Sequence, residues 1–340
     1  MFLPVQQPLK LLKQSTLALA LSLSASWLTH GYAHEPQPPH AAQTLRATQS
    51  LMLDIAHAGQ RIIAVGDRGY ILYSDDEGKT WQQAKVPTQQ LLTAVYFVDA
   101  KHGWAVGHDA LILHSNDGGL NWTQQYQDLA LEAPLLDIWF ADEYKGFAVG
   151  AYGTLLHTQD GGQHWDSIGD ALENENGYHL NAITAVKGAG VFIVGEMGVM
   201  YRSLDMGENW ETVTSPYQGS LFGVQATAQE NTLLVYGLRG HVFRSTDFGD
   251  SWQRINLRTA NGVFEFGLAD SSLLVDGSVL IVGHGGSVLR STDAGQSFSI
   301  VNRADRLSLA GVTATQNGNL ILIGQHGIHL ASPSGVALEK

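Results

Sequence analysis

The 340-residue chain is 44% hydrophobic and 15% charged, has no cysteine, and carries a formal net charge of −13. That composition belongs to a folded globular protein, and the missing cysteines exclude disulfides, thiolate chemistry and a lipid-bearing cysteine. The acidic balance argues against nucleic acid or an anionic membrane surface as the main partner.

The first 33 residues stand apart. Lys10 and Lys13 form a basic start, Leu17 to Leu23 is an apolar run, and Gly31, Tyr32 and Ala33 offer small residues where a signal peptidase needs them. This is the pattern of an export signal cleaved after Ala33, and the run is shorter than the about 20 residues of a membrane span. Its removal leaves 17 basic and 32 acidic residues, a charge of −15, and no segment for direct membrane insertion. Residues 34–40, with Pro36, Pro38 and Pro39, read as a short linker, and residues 41–340 as the folded domain.

Within this domain a single pattern, Ser/Thr-x-Asp-x-Gly-x-x-Trp/Phe, is written six times. Its Asp and aromatic positions are Asp76 and Trp81, Asp117 and Trp122, Asp160 and Trp165, Asp205 and Trp210, Asp247 and Trp252, and Asp293 and Phe298. The aromatic positions step by 41, 43, 45, 42 and 46 residues, the cadence of a stacked or radial repeat. In such a turn Asp accepts from amides one or two residues on, Gly supplies positive φ, and the aromatic ring buries its face against a neighbouring repeat. A calcium loop needs about six oxygen positions and a terminal Glu, which none of the six copies supplies. No metal and no cofactor is expected.

Ahead of each box runs a strand, a turn between two glycines, and a second strand, first at Ala64 to Tyr73. This unit returns around Gly107, Gly150, Gly195, Gly237 and Gly283, and a seventh time at Gly324 to Gly327 without a box. Another apolar segment precedes each unit, at Leu53 to Ala56, Ala94 to Val98, Ile138 to Ala141, Ala182 to Val186, Phe222 to Ala226, Leu273 to Val275 and Gly311 to Ala314. Four short antiparallel strands per unit of about 44 residues make a propeller blade. The chain is therefore expected to be an all-β, seven-bladed propeller. Its last unit lacks an outer strand, and residues 42–48 are expected to supply one and close the ring.

The residues between the paired glycines vary most from unit to unit. They include Asp67 and Arg68, His108 and Asp109, Tyr152, Glu196, Arg239, His284, and His326. In a propeller these inner turns ring one mouth of the central channel, which makes them the candidate partner-binding residues. The longer connections at residues 166–180 and 256–268 add acids to the first and Phe264 and Phe266 to the second. The box residues are expected to be structural.

Seven units, boxes in six of them, the Val-Gly-x-x-Gly strand turn and an export signal together resemble the photosystem II stability/assembly factor family, over about residues 41–340. The resemblance implies a lumenal or periplasmic propeller that is not an enzyme. It also implies a scaffold that binds a membrane protein or membrane protein complex and assists its assembly or stability. Members from photosynthetic lineages are associated with an arginine-rich surface patch. Here Arg202, Arg244 and Arg290 hold one repeat position in consecutive blades and would form a basic sector. The simpler reading, which we favour, lays their stems along blade interfaces.

Two other functions use box-bearing propellers. A glycoside hydrolase needs two carboxylates about 5–10 Å apart, and a sialidase needs convergent arginines with a tyrosine nucleophile. The Phe/Tyr-Arg-Ile-Pro start of sialidases is absent, as are a Gly-x-Ser-x-Gly elbow and a His-Glu-x-x-His metal motif. A glycan-binding module of the cell envelope is the remaining alternative.

Overall fold

The computed structural model describes residues 39–260 and 262–338; the expected export signal and most of the linker lie outside them. Among the described residues seven antiparallel blade sheets follow one another along the chain, six of four strands and the last of three, with a two-stranded ribbon, Arg258–Thr259 and Gly262–Val263, in the connection between the fifth and sixth. Their innermost strands are Met52–Ala58, Leu92–Phe97, Leu135–Phe140, Leu180–Val186, Leu221–Ala226, Leu268–Leu273 and Leu309–Ala314. Each packs on the next, and the seventh packs back on the first, so the sheets close into a seven-bladed propeller. Across that last junction His57 Nε2 lies 2.7 Å from Thr313 Oγ1. Among the described residues the helical pieces are single three-residue turns.

Burial follows the radial order of the strands. The second strands, such as Gly146–Gly150 and Leu320–Gly324, are buried along their whole length, apart from Arg61 at the start of the first blade's, because a blade covers each face. Runs of Val, Ile, Leu and Phe suit that position. The fourth strands, such as Gln82–Gln83 and Glu211–Thr212, are short, polar and largely exposed.

The six boxes share one hydrogen-bond circuit. The Ser or Thr hydroxyl accepts from the Gly amide four residues on, at 2.6–2.9 Å. It donates to the Asp carboxylate at 2.7–3.0 Å. The same carboxylate accepts the amide four residues beyond it, at 2.8–3.0 Å, so its reach is longer than the one or two residues expected. The turn also holds two successive left-handed residues, as at Met206 (φ 59°) and Gly207 (φ 93°). A side chain at Gly207 would run into the Phe147 ring of the preceding blade.

Two expectations on strands need correction. The innermost strand of the sixth blade is Leu268–Leu273, not residues 273–275. Its centre carries Asp270, Ser271 and Ser272, which hid it from a search for apolar runs. In the seventh blade, residues 42–48 contribute no strand to the three-stranded sheet. Its outer edge meets the chain's own residues 336–338, with Ala331 bridged to Ala337 and Leu338 N donating to Leu330 O at 3.4 Å. The N-terminal residues run instead beside the first blade, where Ala41 N donates to Val86 O at 3.0 Å and Gln83 Nε2 to Ala42 O at 3.0 Å. A short turn at Ala47–Gln49 then abuts Gly327 of the seventh blade, so the segment clasps the junction without joining the sheet.

Candidate functional site

The turns between second and third strands gather on one face with the connections between blades. In all seven blades the amide after the first turn glycine donates to the carbonyl just before the innermost strand. Asp67 to Leu51, Glu196 to His179 and Gln325 to Ser308 are examples, and the seven distances run from 2.8 to 3.1 Å. The second turn residue is left-handed, as at Arg68, Tyr152, Met197, Arg239 and His326. The belt around the mouth is therefore rigid in backbone and variable in side chain.

The candidate residues sit on this belt, spread around it rather than collected in one pocket. Asp67 pairs with Arg68 at 3.4 Å, Asp109 is held by the Gln90 amide group, and Glu196 accepts the His179 amide at 3.4 Å. These three acids stand on different blades with separate partners. Tyr152 is 65% exposed and meets His179 edge-on at 5.2 Å. His108 and Arg239 are exposed, and the His284 ring lies over Gly267.

The belt surrounds a channel with a cavity of about 250 Å³. Every innermost strand has a register shift near its start, which turns one residue inward. Polar side chains there staple each blade to the next. Asp54 Oδ2 accepts Val95 N at 2.7 Å, Thr93 Oγ1 donates to Leu135 O at 2.6 Å, and Asp137 Oδ2 accepts Ile183 N at 2.8 Å. Asn181 Nδ2 donates to Leu221 O at 2.8 Å, Ser271 Oγ donates to Gln225 Oε1 at 2.9 Å, and Asp270 Oδ2 accepts Val312 N at 3.2 Å. With the His57–Thr313 contact, all seven junctions carry one such link.

Three of these staples are carboxyl groups, half-buried along the wall of the narrow channel. Burial pushes Asp54 up to about 6, against the lowering effect of the Val95 and Ile55 amides. Burial also lifts Asp137 to about 7, with the Asp54 charge adding to it, and raises Asp270 well above the carboxylate range. Among the described residues, no three His, Asp or Glu side chains are placed to hold a metal ion. Sequence reading missed these acids. Their signal was a lone Asp near the start of the innermost strands, as in Leu53-Asp54-Ile55 and Leu136-Asp137-Ile138.

The three repeat arginines occupy consecutive blades, yet their guanidinium groups are engaged between blades. Arg202 donates to Phe248 O at 3.0 Å and pairs with Asp250 at 2.6 Å and Glu211 at 3.1 Å. Arg244 is buried and donates to Ala294 O at 2.7 Å and Gln229 Oε1 at 3.0 Å. Arg290 reaches Pro333 O at 3.2 Å and Asp276 at 3.0 Å. The geometry makes them stitches to the following blade, with two of the three neutralised by acids, instead of an open basic sector.

Comparisons with known proteins agree with this architecture. Residues 79–130 and 124–265 match the family described as photosynthesis system II assembly factor YCF48, and residues 72–83 match the BNR/Asp-box repeat. The chain is 44% identical over 61 residues to the photosystem II assembly protein Ycf48 of Synechococcus sp. (strain JA-2-3B'a(2-13)), covering 17% of this chain and 18% of that one. It is 26% identical over 197 residues to the photosystem II assembly lipoprotein Ycf48 of Synechococcus sp. (strain CC9902), covering 56% of this chain and 45% of the relative. A solved structure described as YCF48 bound to D1 peptide superposes with a TM-score of 0.66 at 19% identity, over 84% of this chain and 92% of that one. The family pattern spans more than half of the sequence, so the chain belongs to the photosynthesis system II assembly factor YCF48 family.

Proposed function

We propose that the protein is an exported, non-enzymatic scaffold that binds a membrane protein or membrane protein complex and assists its assembly or stability. The observation that carries this reading is membership of an assembly-factor family by a chain whose variable side chains collect on one rigid face. The structure of similar fold described as bound to a D1 peptide supports a peptide segment of the client as what is grasped. Export rests on the signal pattern of residues 1–33 and on relatives named as lipoproteins; having no cysteine, this chain would use the signal alone. The periplasm is the compartment we assign.

Binding is placed on the inner turns, with Asp67, Arg68, His108, Asp109, Tyr152, Glu196, Arg239, His284 and His326 as contacts. The glycosidase reading has less behind it, since the turn acids are dispersed and the channel acids accept backbone amides. The test is affinity capture of the tagged protein from detergent-solubilised membranes, followed by mass spectrometry. Enrichment of one membrane protein or complex, weakened in a Tyr152→Ala/Arg239→Ala variant of unchanged melting temperature, is the expected result. A chain that enriches no membrane protein would remove the proposal.

A further inference from the structure

The mouth belt is not uniform. On blades 3 to 6 its inner turns, connections and innermost-strand starts present Tyr152, Met197, Phe222, Leu238 and Phe266, all 37% exposed or more. On blades 7, 1 and 2 the turn residues are Gln325 and His326, Asp67 and Arg68, and His108 and Asp109. Exposed apolar residues there are single ones in connections, such as Leu51 and Leu129.

The apolar half is linked from blade to blade. Tyr152 packs on His179, whose carbonyl takes the Glu196 amide of the next turn. Tyr217 of the following connection lies against Gly198 and stacks on His241 at 4.3 Å. Phe264 covers Gly240, and Phe266 packs on the Gly285 turn of the sixth blade. An arc of rings thus crosses three blade junctions in succession. The turns and connections that carry these rings hold more acids than bases: Asp170, Glu173, Glu175, Glu196 and Glu265 against Arg239 and Arg258.

We infer that this arc, from Tyr152 to Phe266, is the docking groove for an extended peptide segment bearing apolar side chains and positive charge. The inference rests on the scaffold reading and names the client chemistry for the same face. A curved row of separated rings suits side chains spaced along an extended backbone, and apolar patches of this kind mark interaction sites. The surrounding acids select the sign of the partner's charge and suppress like-charged segments.

The test uses the full chain and a labelled nonapeptide, Gly-Ser-Leu-Lys-Phe-Ser-Lys-Leu-Gly, read by fluorescence anisotropy. One control peptide carries Glu for Lys, another Ser for Leu and Phe. The lysine peptide should bind at least tenfold tighter than either control. Met197→Ser/Leu238→Ser should weaken it at least tenfold, whereas Leu204→Ser/Met206→Ser, in a box turn on the opposite face, should leave it unchanged. Equal binding of the glutamate peptide, or insensitivity to the arc variant, overturns the inference. So does an arc that instead mediates self-association, read as a dimer that Met197→Ser/Leu238→Ser dissolves, or adhesion to lipid vesicles without peptide binding. If the wild type captures a membrane client and the arc variant captures it equally, the arc falls and the scaffold reading stands. Peptide binding without any captured client would leave the arc and remove the scaffold.

Discussion

Trp122 and Gly207 show what a single box residue does. The Trp122 ring is 4% exposed, meets Phe97 edge-on at 5.9 Å, and donates Nε1–H to Gly119 O at 3.0 Å. Trp122→Ala should therefore cost about 3–5 kcal/mol in urea unfolding, the range for truncating a buried Trp, without changing partner preference. Trp81 makes the same bond to Gly78 O at 3.1 Å, but the Nε1 atoms of Trp165, Trp210 and Trp252 are buried without a partner. The ring's apolar face is thus the shared contribution of the motif, and its N–H is optional. Gly207 fails for two reasons at once when replaced: its backbone is left-handed and its Cα faces Phe147 of the blade before. Gly207→Ala should destabilise by more than the about 1 kcal/mol of a strained turn alone, and a fall in the urea midpoint no larger than that would contradict the contact.

Between whole elements, the arginine stitches and the N-terminal clasp decide how firmly one blade holds the next. Arg244 is buried and satisfies the Ala294 carbonyl, so Arg244→Ala should cost about 2–4 kcal/mol by stranding that acceptor. Arg202 also serves a carbonyl, that of Phe248, but its guanidinium and its acid partners reach water that can replace it, so Arg202→Ala should fall within about 1–2 kcal/mol. Equal unfolding midpoints for the two variants would refute the distinction. Deleting residues 41–50 removes the clasp of Ala41, Ala42 and Thr44 on the first blade and of residue 48 on the seventh. That deletion should lower the melting temperature well below that of a chain lacking only 34–40. Blade number, box positions and the face of the inner turns were legible because each repeats with a fixed period and a fixed residue chemistry. The sixth blade's first strand was not, since Asp270 and Ser271 face the channel and break its apolar run. The seventh blade's edge was not either, because pairing of residues 336–338 with Leu330 and Ala331 depends on how the ring closes and not on local pattern. The arginines show a limit of another kind: sequence placed them side by side, but only the carbonyls of the following blade, at Phe248, Ala294 and Pro333, tell where each guanidinium goes.

At the scale of the molecule, two sets of aspartates act on stability in opposite directions. In the boxes, hydrogen bonds from the side chain and then the amide of Thr80, His164 and Asn209 hold Asp76, Asp160 and Asp205 down to about 2. Folded values below the unfolded 3.8 mean that this stabilisation is present above pH 4 and is lost as pH falls toward 2. In the channel the shifts are upward, so the native state binds more protons than the unfolded chain between about pH 4 and 7 and its stability falls as pH rises through that window. The loss corresponds to on the order of 3 kcal/mol for a carboxyl raised by two to three pK steps. Partial loss of water around His57 and His114, and the burial of His157, push these imidazoles below 6.5, and their contribution is lost as pH falls below that value, opposing the channel acids on the acid side. The clean interval therefore lies above the histidines. From pH 6.5 to 8.5 the melting temperature of the full chain should drop as Asp137 completes its ionisation beside Asp54 in one narrow channel. Asp137→Asn keeps an acceptor for one of the two strands it links but has no charge to develop, so its melting temperature should depend less steeply on pH over that interval, even from a lower starting value. Parallel curves for the two proteins would mean that the channel carboxyl groups already ionise freely in the folded ring, and that the staples hold the blades together at no electrostatic cost.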